Sequence, residues 1–162
     1  MRPNLKTTFV ALACAAAGPA SAAAAAIALT ERLAVETRDG KVLLHVSFEN
    51  RGKRTLYVPA SLARDDEPEG NLFEIVDTAS GAPLAYTGKM VKRGPLGRDD
   101  YVAIAPHSLR RNTIDLSRSY AFARGAHSYS LTAPAHFLPT LEALDAPVAL
   151  APAPASFRHS VP

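Results

Sequence analysis

Five histidines, His45, His107, His127, His136 and His159, are the side chains of this sequence best suited to hold a metal ion or to pass a proton near neutral pH. A zinc peptidase needs two of them one helical turn apart with a glutamate between them as general base, and no pair here has that spacing. Serine catalysis needs a nucleophile on a strained turn beside a base. No G-x-S-x-G stretch occurs, and Ser80-Gly81 and His107-Ser108 read as turns. Neither G-x-x-x-x-G-K nor G-x-G-x-x-G is present to cradle a phosphate. The carboxylates Asp65, Asp66, Glu67 and Glu69 are close enough together for calcium, but they lack the ordered Asp/Asn-Gly-Glu pattern of an EF-hand and Pro68 interrupts them, so a solvated loop over Ser61 to Gly70 is expected. The sequence therefore predicts a protein that is not an enzyme, with no catalytic residue, no metal ligand and no cofactor.

What remains is binding chemistry. Lys89, Lys92, Arg93 and Arg98, with Arg110 and Arg111 further on, form a basic group that either faces an acidic partner or keeps exposed strand edges from pairing. Gly94-Pro95-Leu96-Gly97 gives this group an apolar tip. The residues expected to touch a partner are Lys89, Lys92, Arg93, Pro95, Leu96, Arg98 and Tyr101.

The elements that must position them read as strands. Leu29 to Thr37 leans towards β, Asp39-Gly40 is a two-residue hairpin signal, and Lys41 to Glu49 alternates with Val42, Leu44, Val46 and Phe48 on one face. His45 lies on the opposite face and points to solvent or an edge. Thr55 to Val58 is a short strand ended by Pro59. Leu72 to Val76, Pro83 to Tyr86 and Tyr101 to Ile104 are further extended runs punctuated by Gly and Pro. The fold class expected is all-β, an immunoglobulin-like antiparallel sandwich of seven or eight strands. Its core is expected to be Val42, Leu44, Val46, Phe48, Leu56, Val58, Phe73, Ile75, Val102, Ile104, Ile114, Leu116, Tyr129 and Leu131.

At 162 residues, with 48% hydrophobic and 20% charged residues, the chain has the length and composition of one globular domain. Its first 22 residues read as a secretory signal peptide. Arg2 and Lys6 supply the positive start, Phe9 to Ala17 an apolar run too short to span a bilayer, and Ala20-Ser21-Ala22 a small-residue cleavage pattern. Residues 23–27 are a flexible lead, 28–134 the sandwich, and 135–162 a Pro- and Ala-rich tail expected to be largely unstructured, with order ending before Ala146. Removing Arg2 and Lys6 from 18 basic residues leaves 16 against 15 acidic, which gives no reason to expect nucleic acid. Cleavage after Ala22 would leave no cysteine; acylation of Cys14 is the alternative that would tie the domain to a membrane. A periplasmic or secreted location follows.

One stretch resembles a known family. Asn71-Leu72-Phe73-Glu74-Ile75, then Leu84-Ala85-Tyr86-Thr87-Gly88, then Val91-Lys92-Arg93-Gly94-Pro95, then Asp100-Tyr101-Val102 with Ile104-Ala105-Pro106, then Ile114-Asp115-Leu116-Ser117 and Tyr120 succeed one another as in the non-catalytic β-sandwich domain that precedes the peptidase in bacterial lysine-specific metalloendopeptidases of the deuterolysin family. The resemblance covers about Leu29 to Ala133. It implies an immunoglobulin-like fold, export, and a role beside proteolysis, with a metallopeptidase among the candidate protein partners. Two places depart from the family: Pro106-His107-Ser108 stands where Pro-Gly is usual, and Gly125-Ala126-His127-Ser128-Tyr129 where Gly-x-Tyr is usual. Two functions are open at this point, an exported protein-binding module associated with a secreted protease or envelope protein, and a dedicated protease inhibitor that would project a loop such as Lys92 to Asp100.

Overall fold

The computed structural model describes residues 29–162. The proposed signal peptide, its cleavage site, Cys14 and the flexible lead lie outside those residues. β1 (Leu29–Arg38) and β2 (Lys41–Asn50) form the expected hairpin, with Arg38 opposite Lys41. Asp39 and Gly40 both have positive φ, 53° and 75°, which is the backbone a two-residue hairpin turn requires. β2 is joined on its other side by β6 (Ser108–Asp115), giving the sheet β1-β2-β6. The second layer contains β4 (Glu74–Asp77), β7 (Gly125–Thr132) and β10 (Ala155–Val161), in the order β10-β7-β4. β3 (Leu56–Pro59) pairs with β5 (Tyr101–Ile104), and β8 (Ala135–Phe137) with β9 (Val148–Leu150). Tyr57 exchanges both backbone hydrogen bonds with Leu138, at 3.0 and 2.8 Å, and so links the last two pairs. Every named pairing is antiparallel.

This is the immunoglobulin-like sandwich of antiparallel sheets that the alternation predicts. The cause is visible along β2, where Val42, Leu44, Val46 and Phe48 are all essentially inaccessible to solvent while the residues between them are partly exposed. Ile114 and Leu116 from the β6 side, Ile75 from β4, and Tyr129 and Leu131 from β7 close on the same cluster. Of the expected core only Val102 is partly exposed; the buried residues of β5 are Tyr101 and Ile104. Pro83 to Tyr86 is not a strand; it attaches through single bridges, Val76 to Pro83 and Tyr86 to Tyr120.

The C-terminal expectation is overturned. Residues 135–162 are not a loose tail: they supply three strands, and these bring the total among the described residues to ten rather than seven or eight. β10 pairs along β7 from Ala155 opposite Leu131 to Val161 opposite Gly125. Its own alternation explains this. Ala155, Phe157 and His159 are buried and the residues between them exposed, a period of two that the surrounding prolines obscure. Pro147, Pro152 and Pro154 fall just before β9 or between β9 and β10, where no ladder hydrogen bond is lost. Phe137 and Leu138 are completely buried. Likewise Ser61 to Gly70 is not all solvated loop, since it begins in the single helical turn α1 (Ala60–Ala63), which buries Leu62 and Ala63.

Glu31 is the anomaly of the core. It lies on the inward face of β1 between Leu29 and Leu33, opposite Phe48, is 6% exposed, and neither carboxyl oxygen has a hydrogen-bond partner among the described residues. Burial pushes its pKa up from 4.5 to about 7. A raised carboxyl pKa means the unfolded chain releases its proton first, so stability falls as pH rises from about 4.5 to about 7 and stays reduced above that. Glu31→Gln keeps the shape and removes the titration. Denaturant unfolding should find the variant more stable than the parent at pH 8, by on the order of 2 to 3 kcal/mol, and equal to it near pH 4.

Candidate functional site

The segment between β4 and β5 is pinned at both ends and bulges between them. Thr87 N donates to Ser119 O at 2.9 Å and Ala121 N to Ala85 O at 2.9 Å, holding the entry. At the exit, Gly97 N donates to the Asp100 carboxylate at 2.8 Å, closing a 3-10 turn over Arg98–Asp100. Among the described residues, from residue 88 to residue 96 the one backbone-to-backbone hydrogen bond is Val91 N to Glu69 O, 3.2 Å, and the Lys89 carbonyl accepts from the Tyr86 hydroxyl at 2.7 Å. Here the chain exposes Met90, Val91 and Leu96, 77%, 48% and 43% accessible.

The basic residues of this segment are mostly neutralised from within. Lys89 lies 3.8 Å from Glu67, Arg93 is paired with Glu69 and lies 3.5 Å from Asp100, and Arg98 lies 3.8 Å from Glu142. The acidic run 65–69 is therefore the internal counterpart of the basic group, and Lys92 is the cation of the segment left without an ion pair among the described residues. Arg110 is turned away, its Nε donating to Ala63 O at 3.0 Å. Pro95 and Leu96 are exposed as expected. Tyr101 is not at the surface: it is 9% exposed on β5, its ring edge-on to His136 and its hydroxyl 3.4 Å from His136 Nε2.

Beside the bulge lies an apolar groove of about 300 Å³, walled by Leu62 of α1, Leu72, Val91, Leu96, Pro134 and His136. Burial lowers the His136 pKa, which favours the neutral ring at this wall. Met90, Val91 and the far wall are not among the contact residues expected from the sequence. Met90-Val91 carried a usable signal, two apolar residues between lysines in a stretch with no strand alternation. The far wall carried none, because Leu62, Leu72 and Pro134 are assembled from three distant parts of the chain.

Two histidines stand in polar arrays elsewhere. On the outer face of the first sheet, His45 lies 3.1 Å from Glu36 and 3.0 Å from the Thr113 hydroxyl, one partner on each neighbouring strand. His127 Nδ1 donates to Asp77 at 2.6 Å and its Nε2 donates to Arg124 O at 3.0 Å. Both ring nitrogens face acceptors, which favours the charged ring, and among the described residues no hydroxyl is hydrogen-bonded to it as a nucleophile would be. The hydrogen bond to Asp77, then that to the Arg124 carbonyl, raises its pKa. Asp77 in turn is held below the usual carboxylate range by the backbone N–H of Ser80, by His127 and by the N–H of Ala79. Among the described residues no three His, Cys, Asp or Glu side chains are grouped to hold a metal ion, and no helix is long and apolar enough to cross a membrane.

No protein-family model matches the chain, and no curated protein matches it. Among solved structures it is similar to an ASH / PapD-like domain of human CEP192 (PapD-like domain 7), 14% identical over 98% of each chain with a TM-score of 0.38. A likeness that loose says nothing about function. The fold rests on the strands themselves.

The Asp77–His127 clamp ties the turn after β4 to β7, and its pH dependence has a definite sign. Because the folded pKa of His127 is raised, its contribution is complete below the ordinary histidine value and is lost as pH climbs through the folded value. His127→Gln should therefore cost more stability at pH 6 than at pH 9, as read by thermal unfolding of the variant against the parent at both.

Proposed function

We propose that this chain is an exported, non-enzymatic protein-binding module whose contact surface is the bulge 88–97 together with the groove beside it. One observation carries the reading. Three large apolar side chains, Met90, Val91 and Leu96, are exposed on one segment, which is anchored at both ends and borders an apolar groove. Loops held this way on a rigid sandwich present a surface at small ordering cost. Apolar contacts at the centre with a charged rim are the usual composition of such a surface, and here Lys92 is the rim charge with no internal partner. The contact as read from sequence changes emphasis: Pro95, Leu96 and Lys92 stay at its surface, Arg93, Arg98 and Lys89 brace it through Glu69, Asp100, Glu142 and Glu67, and Tyr101 supports it from below. Export rests on the leader pattern of residues 1–22, and association with a secreted peptidase rests on the resemblance carried by residues 71–120.

A photo-crosslinking residue placed at Met90 tests this in the native secretome, with the same residue at Leu109, exposed on β6, as control. Discrete adducts are expected from position 90 and not from 109. Leu96→Asp should weaken their formation about tenfold while leaving the unfolding temperature unchanged. Identical adducts from both positions, or none from position 90, would contradict the assignment.

A further inference from the structure

A second cleft, of about 740 Å³, lies on the other side of the acidic loop, between the β1–β2 turn and the residues that follow β6. Its lining is polar and cationic. Lys41, Lys89 and Arg118 face it with Glu67 and Asp115. The two acids are already engaged. Asp115 accepts from Ser117 N at 2.9 Å and from the Ser117 hydroxyl, and lies 3.6 Å from Lys41; Glu67 lies 3.8 Å from Lys89. Arg118 has no ion pair among the described residues, so the cleft carries one uncompensated positive charge, on a guanidinium suited to planar oxyanions.

Ser119 is only 7% exposed and lines the cleft, yet its hydroxyl has no hydrogen-bond partner among the described residues. Nor is it one of the sealed unpartnered atoms of the interior, which are the two oxygens of Glu31. Its oxygen is therefore reached by solvent, and it is a donor available to a ligand that displaces that water. The surrounding backbone is fixed. The Tyr86 hydroxyl lies 2.9 Å from Pro68 O and 2.7 Å from Lys89 O, tying these two lining segments together. A Cβ at Gly88 would sit 2.6 Å from that hydroxyl and 3.1 Å from the Ser119 Cβ, so only glycine lets the floor close up under the cleft.

We infer that this cleft binds a small organic oxyanion, a carboxylate or a phosphate ester, with Arg118 as its charge partner, Lys41 and Lys89 flanking it and the Ser119 hydroxyl donating from the floor. The cleft is large enough to hold a small-molecule ligand rather than a bare ion. The site stands on other residues than the bulge surface, apart from Gly88 and Lys89 at their common border.

The test titrates the purified protein by calorimetry at constant ionic strength with inorganic phosphate and, separately, with malonate. Saturable binding of at least one is expected, and the preferred probe separates phosphate from carboxylate. Arg118→Gln should weaken it about ten- to a hundredfold and Ser119→Ala by less, while Arg111→Gln, on the exposed face of β6, should leave it unchanged. Arg118 is exposed, so its variant is expected to fold, which circular dichroism verifies. Saturable binding that survives Arg118→Gln undiminished, equal weakening by Arg111→Gln, or no saturable binding of either probe would overturn the inference.

Discussion

The structure depends on one constraint: a chain whose described part has no cysteine must hold two antiparallel layers together by a single shared apolar face. β2 supplies one half of that face without interruption, from Val42 to Phe48, and β7 supplies the other through Tyr129 and Leu131. A slip of one residue in either register would turn the whole set to solvent and bring His45, Ser47 and Ser130 into the core. Phe157 of β10 completes the arrangement, with its ring 5.4 Å from that of Tyr129, and Phe122 stacks edge-on to both. The last strand is therefore part of the core it closes.

Polar groups inside this core follow the same demand that buried donors and acceptors be matched. Asn50, fully buried at the end of β2, donates to Arg54 O at 2.8 Å and Ile104 O at 3.0 Å and accepts from Gly52 N at 2.9 Å, which organises the crossing from the first layer to β3. The Tyr120 hydroxyl bonds both backbone groups of Phe73 at 3.1 Å, and burial pushes its pKa up to about 12. Among the described residues Glu31 alone breaks the rule. His107 is a second local cost: at φ 53° it occupies the left-handed region that favours glycine, just before β6.

How much of this was legible in the sequence follows from how local each signal is. The β1–β2 hairpin was readable because Asp39-Gly40 and the alternation of residues 42–48 are both encoded within a few residues. β10 was missed because its alternation, Ala155, Phe157 and His159, uses a small residue and a histidine as inward positions and sits among prolines, so that composition outweighed period. α1 was missed because four residues give no helical period. At the candidate surface, the exposed tip Pro95-Leu96 was readable as a turn. The pairing of Arg93 with Glu69, and the groove wall of Leu62, Leu72 and Pro134, exist only after distant segments meet.

The measurement that bears most directly on this account is native-state hydrogen exchange along β7 and β10. If β10 closes the core, the ladder amides of residues 155–161 exchange only through the same cooperative opening as those of residues 125–132, with matching protection and matching response to denaturant. If residues 155–161 exchange at the rate of exposed loops while β2 and β7 remain protected, the C-terminal segment is a tail after all and the shared core ends with β7.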